Sequence, residues 1–296
     1  MLRKKEKLTM PENEQTENPQ LVLQEVSKVY SNGKRALNQM SMVLTPGIYG
    51  LLGPNGAGKS TLMQIISGNM LQSEGSVEWC GQTLEQLGDR YRKQVGFMPQ
   101  QQELLEGFTG RQFLWYMASL KGMERKISKR RIEELLHVVN LEEKQDWKIE
   151  RYSGGMKQRV AIAGVIAMEP KIIALDEPTA MLDPVGRQEV ITTVTRLCRE
   201  KGMTVVLITH HMDECVGADR LIVMSNGRIA ADGTPAEVFS QVALMEREGL
   251  SVPETTRLIY DLNSAGFELP LSALGVEECA QAICKYINRK KEKCQK

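Results

Sequence analysis

One segment constrains the fold of this chain more than any other: the glycine-rich run GPNGAGKS at positions 53–60. It lies between the apolar run IYGLL (48–52), which is typical of a buried strand, and the helix-compatible run TLMQIISG (61–68). The spacing G-x-x-x-x-G-K-S lets backbone N–H groups and a helix N-terminus face an anion. The sequence therefore predicts a strand–loop–helix unit that binds the phosphates of a nucleotide.

The side chains of this loop suggest the phosphates of a nucleotide and Mg²⁺ as the ligands. Lys59 is expected to reach the β and γ phosphates, and the Ser60 hydroxyl is expected to bind Mg²⁺. The remaining predicted ATP-binding positions of the segment are Gly53, Pro54, Asn55, Gly56, Ala57, Gly58 and Thr61.

The segment KIIALDEP (171–178) supplies two carboxylates at the end of a second apolar strand. Adjacent residues of a strand point to opposite sides, so Asp176 and Glu177 cannot have the same role. We expect Asp176 to hold Mg²⁺ beside Ser60, and Glu177 to polarise the attacking water.

Two further polar residues follow predicted strands. Gln100, after VGFM, is a candidate for contact with the metal or the water, although a solvated turn would give the same pattern. His210 directly follows TVVLIT (204–209), at the strand edge where open α/β sheets bind ligands. A buried histidine with a structural role is the alternative, and His211 is its rival for the catalytic role.

A second anion-binding pattern occurs in YSGGMKQR (152–159), where a serine and two glycines lead into a helix. This segment belongs to a set of motifs whose order resembles the nucleotide-binding subunit of an ATP-binding cassette (ABC) transporter over roughly 21–240. The other motifs are the phosphate-binding loop, Gln100, LDEP, AMLD (180–183) and LITH (207–210). The resemblance implies two cassettes bound head to tail, so the partner would be a second ABC ATPase, identical or different. The residues that it assigns to ATP held by the other cassette are Ser153, Gly154, Gly155 and Asp183.

By the same resemblance, Tyr30 stacks on adenine and His210 contacts the γ-phosphate. The usual family segment is Leu-Ser-Gly-Gly-Gln, so Tyr152 and Met156 are departures from it. The contact with the anion rests on Ser153 and the glycines, which are present.

The predicted fold class is α/β: a P-loop NTPase with a RecA-like core, an antiparallel β subdomain and an inserted helical subdomain at about 105–155. A polar tail (1–20) precedes the ATP-binding domain (21–240), and a helical extension (241–296) follows it. Strands are predicted at 21–30 and 40–44, with a hairpin at 221–233. In the extension, one helical face is expected to hold Val276, Ala280, Ile283 and Ile287, and to pack on its own domain or on a partner.

Charge and composition limit the partners. The chain has 38 basic and 37 acidic residues, a net charge of +1, so we expect no nucleic-acid partner. None of the six cysteines forms a C-x-x-C pair, which indicates reduced thiols rather than a zinc site. We expect no signal peptide and no membrane span. The resemblance to ABC transporters implies a transmembrane permease or coupling subunit that holds the chain at the cytoplasmic face of the membrane.

The two halves of the chain resemble different transporters. Segments such as YRKQVGFMPQ (91–100) are similar to exporters of antimicrobial-peptide resistance. The stretch from Ala161 to about Gly266 is similar to the ATPase of energy-coupling factor importers, which take up vitamins and metal ions with a separate substrate-binding membrane subunit. The longer match favours the importer, with the exporter as the alternative. A natural mosaic and an artificial join near Arg159 would both explain why the resemblance changes from exporters to importers along the chain.

Two other classes are disfavoured. Soluble cassette ATPases usually carry two cassettes or a long coiled-coil insert, and neither is evident in this sequence. A non-hydrolysing nucleotide switch would be expected to lack Glu177.

Overall fold

The computed structural model describes residues 19–100, 104–120 and 122–294 of the chain. The polar tail predicted for 1–20 lies outside the described residues, except for its last two positions.

A six-stranded sheet with the order β10-β9-β3-β8-β7-β6 carries the site. Its strands are β3 (Gly47–Leu52), β6 (Val95–Met98), β7 (Ile172–Asp176), β8 (Thr204–Ile208), β9 (Arg220–Ser225) and β10 (Arg228–Gly233). Strands β9, β3, β8, β7 and β6 pair in parallel, and β10 returns antiparallel to β9. Every residue of β7 and β8 is buried, as expected for parallel strands covered on both faces.

A second sheet of four antiparallel strands has the order β2-β1-β4-β5. These strands are β1 (Leu21–Val29), β2 (Arg35–Leu44), β4 (Glu74–Trp79) and β5 (Gln82–Thr83). Strand β2 begins five residues before the predicted 40–44. Strand β4 was not predicted, because Val77 and Trp79 are its only apolar residues.

The helices of the described residues vary widely in length. They are α1 (Lys59–Ile66), α2 (Leu84–Leu87), α3 (Asp89–Arg92), α4 (Gly110–Leu120), α5 (Arg125–Val138), α6 (Gly154–Ala167), α7 (Pro184–Lys201), α8 (Met212–Cys215), α9 (Pro235–Phe239), α10 (Val242–Arg247), α11 (Glu254–Ser264) and α12 (Val276–Cys294). Two short 3-10 turns lie at Glu142–Lys144 and Ile149–Arg151. In the described ranges, no helix is both long and apolar enough to span a bilayer.

Helices α4, α5 and α6 pack together through one apolar core that includes Phe113, Ile132 and Val160. The chain entering α4 also pairs with the chain that precedes α6. The N–H of Ile149 donates to Phe108 O at 2.8 Å, and Thr109 forms a bridge with Lys148. The start of α4 and the approach to Ser153 are therefore joined by backbone hydrogen bonds.

The face predicted for α12 packs only in part on its own domain, and its packing on a partner stays a prediction. Cys279 is buried and Ile283 is half-buried against a small core around Ile259, whereas Val276 and Ile287 are 70% and 42% exposed. The helix is rotated from the predicted face because Tyr286, which packs on Phe267 with ring centroids 5.1 Å apart, lies on the buried side.

Candidate active site

The phosphate-binding loop, Gln100, Glu177 and His210 meet at one edge of the six-stranded sheet. The phosphate-binding loop follows β3, Gln100 follows β6, Glu177 follows β7 and His210 follows β8. Since these four strands are parallel, their carboxyl ends lie on the same side, where open α/β sheets bind ligands.

The phosphate-binding loop is held between the two sheets. A Cβ on Gly53 (φ +150°) would lie 2.4 Å from Met224 O in β9, and a Cβ on Gly58 (φ +103°) would lie 2.4 Å from Ala36 O in β2. The carbonyl of Ala57 accepts the N–H of Gly227, in the β9–β10 turn. Glycine is therefore required at both ends of the loop, for its conformation and for space.

The ammonium group of Lys59 lies beneath this loop. It donates to Gly53 O at 2.6 Å and to Pro54 O at 3.0 Å. Burial lowers the pKa of Lys59, while the charges of Asp176 and Glu177 act in the opposite direction. An ammonium has three donors, so one remains for a phosphate oxygen.

The remaining loop positions surround this lysine. Ala57 is buried and its N–H donates to Pro54 O at 3.1 Å, while Asn55 and Gly56 are exposed at the tip of the loop. Thr61, in the first turn of α1, shares a 3.1 Å hydrogen bond with the hydroxyl of Tyr30, which is 36% exposed. The structure thus places Tyr30 at the start of α1, beside the loop.

Asp176 ends β7 and is buried. Burial raises the pKa of its carboxyl, and a hydrogen bond from the Ser60 side chain opposes that shift. The neighbouring charge of Glu177 also raises it, whereas Lys59 and His210 lower it. Asp176 and Ser60 thus form a pair of oxygen groups under the phosphate-binding loop.

Glu177 has both carboxylate oxygens engaged. Its Oε1 lies 2.9 Å from Nε2 of His210, and its Oε2 accepts the amide Nε2 of Gln100 at 2.9 Å. The backbone of Glu177 is left-handed, at φ +50°, and its N–H donates to Ile208 O at 3.0 Å. Because of this left-handed conformation, the side chain of Glu177 points away from the direction of β7 and toward His210 and Gln100.

The two adjacent histidines have different surroundings. His210 contacts Glu177, whereas the His211 ring nitrogens lie 2.8 Å from Nη1 of Arg187 in α7. The contact with Glu177 favours His210 over His211 for the predicted catalytic role.

The segment around Ser153 forms a separate exposed surface. Ser153 is the N-cap of α6, and its hydroxyl oxygen accepts the N–H of Met156 at 3.3 Å. Asp183 is the N-cap of α7 and accepts the N–H of Gly186 at 2.8 Å. Cβ atoms on Gly154 and Gly155 would lie 3.7 Å and 3.0 Å from side-chain atoms of Met181 and Leu182, so the two segments are neighbours.

Tyr152, one of the two departures from the usual family segment, is buried and donates its hydroxyl to Lys144 O at 2.9 Å. A Cβ on Gly110 would lie 2.3 Å from that hydroxyl, so the glycine at the start of α4 makes room for it. The tyrosine therefore ties the approach to Ser153 to the loop before it.

Sequence reasoning missed a group behind Glu177 and His210. Glu214, in α8, accepts hydrogen bonds from the side chains of Thr179 and Thr209. The available signal was weak: a carboxylate four residues after His210, in a segment too short to show a helical period.

Comparison with known proteins points to one family. The family described as ABC transporter matches residues 37–180. Energy-coupling factor transporter ATP-binding protein EcfA1 of Caldanaerobacter subterraneus subsp. tengcongensis is 39% identical over 271 residues, covering 88% of this chain and 98% of the relative. EcfA2 of Clostridium perfringens is 38% identical over 264 residues, covering 86% and 92%.

Solved structures agree with these relatives. The structure of cbiO1 from Clostridium perfringens, described as part of the ABC transporter complex cbiONQ, is similar with a TM-score of 0.70 and 30% identity, covering 82% of this chain and all of that one. A dimeric ATP-binding cassette in a post-hydrolysis state, bound to ADP and Pi, gives a TM-score of 0.66 at 29% identity, covering 72% and 98%. The chain therefore belongs to the ABC transporter family, as an ATP-binding subunit similar to those of energy-coupling factor transporters, and it is an ATPase.

Proposed function

We propose that the chain hydrolyses ATP with Mg²⁺ as one of two cassettes that power energy-coupling-factor-type uptake of a vitamin or a metal ion. The observation that carries the hydrolytic part is the placement of Glu177 between His210 and Gln100, beside Asp176 and the phosphate-binding loop. The energy-coupling factor relatives support uptake as the direction of transport. The vitamin or metal-ion substrate is what the resemblance to energy-coupling factor importers implies.

Ser60 and Asp176 fit a magnesium ion, because hard cations of this size prefer hydroxyl, carboxylate and water oxygens. When bound, the ion would offset negative charge on the β and γ phosphates. Asp176 is buried with a raised pKa, so a cation beside it would favour its ionised form. Gln100 is the third residue proposed for this ion, and it already reaches Glu177.

The residues around the triphosphate have different proposed roles. Lys59 and the loop N–H groups bind phosphate oxygens, and Tyr30 stacks on the adenine ring. Glu177 orients and polarises the water that attacks the γ-phosphate in line, while His210 contacts that phosphate.

A second cassette would supply the rest of the site. The Ser153 oxygen accepts a hydrogen bond within α6, so its own proton is available to a γ-phosphate oxygen. The N–H groups of Gly154 and Gly155 lie in the first turn of α6, where N–H groups lack intrahelical partners. Next to Asp183, the side chains of Met181 and Val185 are 75% and 67% exposed, an apolar surface that a second cassette would cover.

The partner in the membrane would dock on the helical region. A groove of 740 Å³ lies between α4 and α5 and is lined by residues that include Phe108, Trp115 and Met123. Phe108 in this groove is 37% exposed, and Tyr116 and Leu120, which lie on α4 outside the groove lining, are 43% and 59% exposed. Such a surface suits an apolar helix of a transmembrane coupling subunit, which would hold the chain at the cytoplasmic face of the membrane.

A mixing experiment tests the shared site. Lys59→Ala and Ser153→Arg are each expected to abolish hydrolysis in a dimer of one variant. Mixed dimers contain one site with an intact loop and an intact serine, so we expect partial recovery of phosphate release. If capture through a different affinity tag on each variant shows mixed dimers and no activity returns, the two-cassette site is wrong.

Co-purification tests the transport assignment. A tagged chain is expected to bring down a second cassette, a coupling subunit and a small substrate-binding membrane protein. A six-helix permease without such a protein would instead indicate export. Phe108→Ala should weaken recovery of the coupling subunit, whereas Val43→Ala, which trims a side chain that is 43% exposed on β2, should not.

A further inference from the structure

A carboxylate behind the active site connects the two loops that carry Glu177 and His210. One oxygen of Glu214, Oε1, accepts the hydroxyl of Thr179 at 2.7 Å, and the other, Oε2, accepts the hydroxyl of Thr209 at 2.6 Å. Thr179 lies two residues after Glu177, and Thr209 lies immediately before His210. A single side chain thus spans the two loops.

Both threonines are buried, with 1% and 3% of their surface exposed. A buried hydroxyl that loses its partner is costly, so these side chains stay where Glu214 can accept their protons. Thr209 is fixed further, since its oxygen accepts the N–H of His211 at 3.0 Å while its proton goes to Glu214.

The loop after β7 needs such support. Glu177 has a left-handed backbone, a conformation that residues other than glycine adopt only when the surroundings enforce it. The hydrogen bond from Glu177 N–H to Ile208 O fixes the loop on one side of this strained residue. The hydrogen bond from Thr179 to Glu214 fixes it on the other side.

We propose that Glu214 is a positioning residue for hydrolysis, which sets the 2.9 Å separation of Glu177 and His210 by holding Thr179 and Thr209 together. This inference rests on the proposed roles of Glu177 and His210. Glu214 would act only through those residues and would not touch ATP.

The test measures kcat and KM for ATP on the complex that co-purifies with the chain. Glu214→Ala is expected to lower kcat about tenfold to a hundredfold, the effect of a small misplacement of catalytic groups, with KM changed less than about twofold. Glu214→Gln should recover part of kcat, because an amide can accept one hydroxyl and donate to the other.

The matched control is Thr255→Val, which removes the hydrogen bond from Thr255 to Leu274 O, at 2.6 Å, in the C-terminal extension. It should cost some stability and leave kcat unchanged. If Glu214→Ala leaves kcat unchanged, or if both variants lower kcat equally, the inference is overturned. Normal turnover in Glu177→Gln would instead overturn the proposed function.

A milder variant covers the case in which Glu214→Ala does not fold. Thr179→Val removes one of the two bonds, and we expect it to lower kcat several-fold while ATP binding persists. Unchanged kcat in folded Thr179→Val contradicts the inference. In a folded Glu214→Ala background, Thr179→Val should add no further loss, since the bond is already absent.

Discussion

The carboxylate of Glu177 lies 2.9 Å from Nε2 of His210, although 33 positions separate them in the chain. The two residues follow the neighbouring parallel strands β7 and β8, in which Asp176 is paired with Ile208. The register of these strands therefore brings a candidate general base and a candidate phosphate contact to one point.

The first prediction concerns Glu177. Glu177→Gln keeps the shape of the side chain but removes the carboxylate that we propose polarises water, so we expect kcat to fall at least about a hundredfold. The affinity for ATP, measured by equilibrium binding, should persist. Turnover close to that of the unmodified chain would remove Glu177 from the mechanism.

The second prediction concerns Gly58. Gly58→Ala would combine a left-handed backbone with a Cβ 2.4 Å from Ala36 O, so we expect loss of ATP binding and destabilisation by about 1–3 kcal/mol. Gly33→Ala is the matched control, because Gly33 has φ +80° with no atom within 4 Å of the added Cβ. Gly33→Ala should be destabilised to a similar extent by its own left-handed backbone, while its affinity for ATP stays unchanged. Equal affinity in both variants would contradict the close approach at Gly58.

The third prediction concerns the stability of the nucleotide-free protein. Because burial raises the pKa of Asp176, its ionised form is disfavoured in the folded state, and Asp176→Asn should raise the free energy of unfolding at pH 7 while abolishing hydrolysis. This gain in unfolding free energy is present at pH values above the pKa of Asp176 in the folded protein. It is lost as the pH falls through that pKa toward 3.8, the ordinary value for an aspartate. Denaturant titration of both proteins at neutral and acidic pH measures it. A less stable Asn variant at pH 7 would show that attraction to Lys59 outweighs burial.

The fourth prediction joins Gly110 and Tyr152. Gly110→Ala would place a Cβ 2.3 Å from the Tyr152 hydroxyl, so we expect destabilisation of about 1–3 kcal/mol. In a Tyr152→Phe background the hydroxyl is gone and the nearest ring atom lies 3.2 Å away, so the same change should cost less. A double-mutant cycle of unfolding free energies measures the difference, and strictly additive effects would contradict the contact.

The sequence predicted the parts of the fold that repeat simple patterns. The buried strands β3, β7 and β8 are continuous apolar runs, and the glycine spacing at 53–58 has few structural solutions. Strand β4 was missed because its own composition does not indicate a strand. Its pairing with β1, which begins with Leu21 opposite Trp79, holds it in place instead. The side of α12 that packs on its own domain was not predicted, because helical spacing alone cannot say which neighbour, such as Phe267, covers it.

The site was predicted less evenly. Gln100, Glu177 and His210 follow strands, and their meeting required only parallel pairing. The left-handed backbone of Glu177 and the contacts of Glu214 depend on tertiary packing, which no local pattern records. The roles of Ser153, Gly154, Gly155 and Asp183 toward a second cassette remain predictions.

The phosphate-binding loop touches β2 of one sheet at Gly58 and β9 of the other at Gly53. Neither sheet can move far relative to the other without distorting the loop. A triphosphate held there would therefore stabilise both sheets at once, so added nucleotide should raise the melting temperature of each by the same linkage.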